Sequence, residues 1–150
     1  MIRSLMTYRK LYIYHRPIKI LFATFLSVIG GLLYIIFRSD DLIMFSWFNS
    51  LKLTDFIINL RNTYGNHNIH EWTRLNLPAG LWLFSYLLIM DSIWKKEDKI
   101  FYPLFISYLP LIAIFSEFMQ LVHVIPGTFD VMDLLSYGIS IALFILVKKL

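Results

Sequence analysis

Cysteine is missing altogether from the 150 residues. That excludes disulfides, thiol catalysis and cysteine-based zinc sites, and it leaves the redox compartment open. Charge is scarce as well: Asp, Glu, Lys and Arg make up 16% of the chain, against about 25% in soluble domains. Neither G-x-S-x-G nor H-E-x-x-H occurs, so two common hydrolase signatures are out. No internal repeat and no low-complexity tract is visible. What remains is apolar. Hydrophobic residues make up 58%, aromatic residues 17%, and mean hydropathy is +0.64. A length of 150 residues fits a single domain.

Apolar runs long enough to cross a bilayer recur. They predict an all-α integral membrane protein with four transmembrane helices, at about 18–37, 77–94, 101–125 and 131–147. Hydrocarbon offers no hydrogen-bond partners, so each run must be helical. The first is too long for a signal-peptide core and lacks an A-x-A cleavage site, so it is expected to be retained. Pro78 suits the first turn of the second helix, where a missing N–H costs nothing.

The basic residues set the direction. Arg3, Arg9, Lys10, Arg16, Lys19, Lys95, Lys96, Lys99, Lys148 and Lys149 fall on one side of these spans. Arg38, Lys52, Arg61 and Arg74 fall on the other, offset by Asp40, Asp41, Asp55 and Glu71. The positive-inside rule then places both termini in the cytoplasm. The net charge of +4 and pI of 9.3 thus reflect topology rather than nucleic-acid binding, for which no basic groove with interleaved aromatics is present.

Residues 38–76 form a long extracytoplasmic insertion between the first two spans, too apolar for a disordered linker. LIMFSWFNSLKLTDFIINLR spaces its apolar residues as helices do. It reads as a helical cap on the bundle or as amphipathic helices in the membrane interface. In the first span Ala23, Ser27, Gly30 and Gly31 form a small-residue stripe for close helix packing, within the monomer or in a homo-oligomer. HNIHE (residues 67–71) offers His67, His70 and Glu71. Its histidines are three apart, not the four of the zinc-protease helix, so no metal and no cofactor is expected. Asp91, near the end of the second span, reads as a boundary carboxylate within reach of a lysine.

FSEFMQLVHVIPGTFDVMDLLSY (residues 115–137) carries the remaining polar groups. Glu117 lies about 24 Å along a helix starting at Phe101, at about 1.5 Å per residue. A carboxylate at that depth usually faces a bundle interior or a wet cavity. Gln120 shares its face, and His123 lies farther round. Pro126-Gly127 must end the helix and reverse the chain. Asp130 is a good N-cap for the next helix, with Asp133 at the capping-box position. Capping needs only one acid. Asp133, folded back on the third span, would approach Glu117 and Gln120. The expectation is an outward-facing polar pocket made by Glu117, Gln120, Asp130 and Asp133, with Tyr137 one turn deeper. Such a pocket suits a cation, an amine or a hydroxylated headgroup.

E-x-x-Q, a Pro-Gly turn and T-F-D-x-x-D, at Glu117, Gln120, Pro126, Gly127, Asp130 and Asp133, resemble the signature of VanZ-like membrane proteins. The resemblance covers about residues 101–147. It implies a small multi-pass protein of the bacterial cytoplasmic membrane, associated with susceptibility to teicoplanin-type glycopeptides. The family usually has an arginine where this chain has Gly127, an asparagine at Tyr137 and a glycine at Ser140. The implied function is binding of a lipid-linked or cell-wall-related group, or an accessory role at the envelope. The alternatives are a structural or regulatory subunit of a larger membrane complex and, third, an intramembrane acid/base enzyme. Substrate and catalytic residues are not readable, and the lipid bilayer is the one partner the composition itself implies.

Overall fold

The computed structural model describes residues 2–39, 43–65, 67, 69–94 and 97–149, with side chains from Arg16 onward except at 43 and 149. Asp40, Asp41, Lys95 and Lys96 lie outside the described residues, as do the side chains of Arg3, Arg9, Lys10 and Lys149. The described residues form seven helices: α1 Ile2–Phe37, α2 Ile43–Ser50, α3 Thr54–Tyr64, α4 Glu71–Leu75, α5 Leu77–Ile93, α6 Phe101–Leu121 and α7 Val131–Lys149. No strand occurs among them.

Three stretches are long and apolar enough to cross a membrane: Arg16–Phe37 within α1, all of α6, and Val131–Lys148 within α7. The second expected span is the apolar helix α5, which at 17 residues falls short of them. It is also the centre of the bundle. α1, α4, α6 and α7 all pack on it, and Pro78, Gly80, Leu83, Ser85, Leu87, Leu88, Asp91 and Ser92 are buried along it. A helix with apolar residues on every side needs neighbours on every side. The surrounding helices turn large side chains outward instead: Leu21 is 72% exposed and Phe115 62%. Continuous apolar exposure of this kind belongs in lipid rather than water.

Antiparallel packing gives the bundle two distinct ends. At the cap end α1 and α6 finish and α5 and α7 begin. The tail end carries the start of α6 and the last turns of α5 and α7. The 36 residues of α1 extend well before the apolar run, with Pro17 inside the helix. The contact of α1 with α5 uses the small-residue stripe. Ala23 is fully buried. A Cβ on Gly30 would lie 3.0 Å from the Trp82 ring and 3.2 Å from the Pro78 carbonyl. Trp82 Nε1 donates to the Ser27 carbonyl at 3.1 Å. Gly31 faces open space and takes no part in this contact. Where α5 meets α7, Gly80 approaches Ser136 and Ser140, and Ser140 Oγ donates to the Gly80 carbonyl at 2.7 Å.

The insertion is helical, as α2, α3 and α4. It packs on the bundle through one face: Ile57 is buried, and Arg61 Nη1 donates to the carbonyls of Ile35 at 3.0 Å and Arg38 at 2.9 Å. Those carbonyls lie at and just past the C-terminal end of α1, where the last carbonyls of a helix lack intrahelical partners. A cation there also matches the negative end of the helix dipole. The other face of the cap leaves Trp47, Leu51 and Phe56 exposed.

At the tail end, Asp91 is buried and forms an ion pair with Lys19 of α1 at 3.3 Å. It also accepts from the Tyr102 hydroxyl of α6 at 2.7 Å. The carboxylate read as a boundary group is therefore an internal tie between three helices. The lysine that meets it comes from the first span.

Candidate functional site

α6 stops at Leu121, before the expected boundary at 125. His123 takes a left-handed conformation, φ 57°. Its N–H bonds to the Gln120 carbonyl at 3.0 Å, and the Val124 N–H bonds to the Met119 carbonyl at 2.9 Å. This pair of bonds is the Schellman termination, in which glycine usually holds the left-handed position. Histidine is a rare occupant, and so the sequence pointed to Pro126-Gly127 as the stop. The longer turn that results, residues 122–130, carries Asp130 back beneath the last turn of α6.

There the acids interlock. Glu117 is only 4% exposed, and its Oε2 accepts the backbone N–H of Asp130 at 3.2 Å. Asp130 Oδ1 accepts the Met132 N–H at 2.8 Å, so Asp130 is the N-cap of α7. The capping box is not completed. Its second bond would run from Asp133 to the Asp130 N–H, which Glu117 has taken. Asp133 turns to Asn76 instead. The single amide nitrogen of Asn76 donates to Asp130 Oδ2 at 2.8 Å and to Asp133 Oδ1 at 2.9 Å. Two carboxylate acceptors fix which way that amide points, since only the NH₂ group can face them. Asn76 itself is buried, at the junction of α4 and α5.

Beside this cluster lies a cavity of about 550 Å³. α6 and α7 line it with Glu117, Gln120, Asp133 and Tyr137, α1 lines it with Tyr34, and Arg38, the residue after α1, lines it too. Ala79, Trp82 and Leu83 of α5 and Leu109 and Ala113 of α6 supply an apolar part. Four of the five residues read from the sequence thus share one cavity. The fifth, Asp130, does not line it; it braces Glu117 and Asn76 from behind. Asn76 and Arg38 were not among the sequence candidates. His67 and His70 are occupied locally: His67 Nδ1 lies 3.1 Å from the Tyr64 carbonyl, and His70 Nδ1 accepts the Trp72 N–H at 3.3 Å. No three His, Asp or Glu side chains gather as a metal site among the described residues.

Gly127 forms the rim. Its φ is +134°, a conformation other residues rarely adopt. A Cβ there would also fall 2.6 Å from Gln120 Nε2 and 2.7 Å from Cδ. The flexible amide can move away, but the backbone strain stays. Gly127→Ala is expected to lower stability by about 2 kcal/mol and to swing Gln120 out of place. Adding Gln120→Ala should recover only the crowding part, measured as the unfolding midpoint of each variant in detergent. An arginine at 127 would meet the same obstacle, and in this chain Arg38, just past the end of α1, brings a guanidinium to the cavity.

Fold and site together define an all-helical membrane protein with a cavity of mixed charge at the cap end of its bundle. Compared with protein-family models, with curated proteins and with solved structures, the chain matches none. The VanZ-like resemblance therefore rests on its residues alone.

Proposed function

We propose that this chain is a VanZ-like multi-pass protein of a bacterial cytoplasmic membrane. All four apolar helices are embedded, both termini are cytoplasmic, and the cap and cavity face outward. It acts as a binding or accessory factor at the cell envelope and recognises a lipid-linked or cell-wall-related group. One observation carries this reading: a carboxylate only 4% exposed, Glu117, lies beside Asp133, Gln120 and Arg38 in a cavity large enough for a small ligand. Acids held at this depth are costly to keep, and function is the usual reason that they persist.

Glu117→Gln tests it, because glutamine keeps an acceptor for the Asp130 N–H while removing the charge. In a deletion strain, the variant is expected to reach wild-type levels in the membrane but to fail to restore glycopeptide susceptibility to the wild-type value. Full complementation would remove the reading. Orientation is testable separately, since the chain has no cysteine of its own. A cysteine at Ser50 should react with an impermeant maleimide from outside the cell, and one at Lys99 only after lysis.

The second reading, a subunit of a larger membrane complex, draws support from the cap, where Trp47 is 60% exposed, Leu51 67% and Phe56 65%. Extraction in a gentle detergent separates the two. A stoichiometric companion retained on the wild-type chain and lost on Trp47→Ala/Phe56→Ala favours the complex.

A further inference from the structure

The cavity described above combines three features that a purely water-soluble ligand does not require. First, it holds charges of both signs. Glu117 and Asp133 come from α6 and α7, and Arg38 follows directly on the end of α1. The guanidinium lies over the Tyr34 ring, 5.6 Å from its centroid, and no carboxylate pairs with it among the described residues. Second, part of the lining is apolar, through Leu83, Leu109 and Ala113. Third, it is open at the side. α1 and α6 both pack on α5 but make at most marginal contact with each other. Trp82 is uncovered at that seam. It is 37% exposed, whereas every other residue of α5 from Leu77 to Ser92 is buried or partly buried.

A side opening between membrane-crossing helices leads to lipid. An apolar lower wall below a charged upper wall matches a molecule with a chain and a headgroup. We infer that the cavity binds the headgroup of an aminophospholipid, which enters through the α1–α6 seam, sets its phosphate on Arg38 and places its primary ammonium between Glu117 and Asp133. This rests on the reading of the cavity as a ligand site in the preceding subsection.

Donor counting selects the ammonium. An ionised carboxylate is acceptor-only, with about four lone-pair positions. Glu117 receives one backbone N–H and Asp133 one amide N–H, so both retain capacity. An ammonium brings three donors and a compensating charge, whereas a hydroxyl brings one donor and no charge. A quaternary ammonium has no N–H and prefers open aromatic faces. Here Arg38 already lies over Tyr34, which in turn packs against Trp82 with ring centroids 5.2 Å apart. Arg38 supplies the planar pair of donors that suits phosphate.

The test reads Trp82 directly. The chain has four tryptophans, so Trp47→Phe/Trp72→Phe/Trp94→Phe leaves Trp82 as the only reporter. The variant is reconstituted in phosphatidylcholine vesicles, and chain-brominated phosphatidylethanolamine, phosphatidylcholine or phosphatidylglycerol is titrated in. Brominated phosphatidylethanolamine is expected to quench with an apparent affinity about fivefold above the other two, the size of a partly screened charge-assisted contact. Glu117→Gln should abolish that preference, and Arg38→Gln should weaken binding of phosphatidylethanolamine. The wild-type chain gives the same ranking without the tryptophan replacements, as the rise in Tm when each lipid is added to its detergent micelles. Equal quenching and equal Tm shifts for all three lipids would overturn the inference. Water-soluble O-phosphoethanolamine then shows what fell. If it raises the Tm of the wild type but not of Glu117→Gln, the ligand site stands and entry from the bilayer is wrong. If it has no effect, the ligand-site reading falls too.

Discussion

Asn76→Asp is expected to be the most damaging single change at the cap end, lowering stability by about 4 kcal/mol or more. Asn76 is 3% exposed, and both hydrogens of its amide are committed, one to Asp130 and one to Asp133. Each is a bond to a charged acceptor, worth about 1.5–3 kcal/mol. An aspartate of the same shape removes both donors and sets a third carboxylate against the other two. At an effective dielectric of about 20, two like charges about 4 Å apart repel by about 4 kcal/mol. The damage should spread, because Asp130 also caps α7 and donates its N–H to Glu117. Asn76→Ala should fall between wild type and Asn76→Asp, since it loses the donors without adding the charge. Thermal unfolding of the three proteins in one detergent gives the order. Asn76→Asp melting with wild type would mean that the acids are not held together as described.

This cluster also marks how far the sequence could be read. Glu117, Gln120, Asp133 and Tyr137 stood out because polar groups within apolar runs have few places to go, and helical spacing put them on facing surfaces. Asn76 and Arg38 did not stand out. Each sits in a loop-rich stretch where polar residues are ordinary, and Asn76 is 54 and 57 residues away from the acids that it bridges. A topological signal existed. With four antiparallel helices, the exit of the first and the entry of the second must lie beside the exit of the third and the entry of the fourth. Arg38 and Asn76 occupy those two positions. The end of α6 was misjudged for another reason: a left-handed histidine closed the helix before the proline and glycine were reached. Only coordinates distinguish Gly31, which faces open space, from Gly30, which meets Trp82, because the stripe alone does not say which of two adjacent glycines faces the neighbour.

The same logic of matching ends governs Asp91. Asp91 was read as within reach of a lysine, and Lys19, 72 residues away in sequence, enters the bundle at the tail end, level with the last turn of α5, and pairs with it. Asp91→Ala removes the acceptor shared by Lys19 and Tyr102 and so loosens α1 and α6 from α5 together. Breaking a buried ion pair by deleting one partner typically costs about 3–5 kcal/mol. Lys19 keeps 38% of its side chain exposed and can extend toward water once released, so the expected loss is about 3 kcal/mol, at the low end of that range. Asp91→Asn separates the two bonds. Its amide oxygen still accepts from the Tyr102 hydroxyl while the charge is gone, and about half the loss should return. A cycle with Lys19→Met measures the pair itself and should give a coupling of about 1 kcal/mol or more, as contacting residues do. Additive losses would show that the ion pair does not hold this end, whereas Asp91→Asn as unstable as Asp91→Ala would show that the bond to Tyr102 contributes nothing to it. Because the tie lies at the opposite end from the cavity, Asp91→Asn protein that still reaches the membrane should keep the lipid preference read by Trp82, while Glu117→Gln loses the preference and keeps the stability of the tail end.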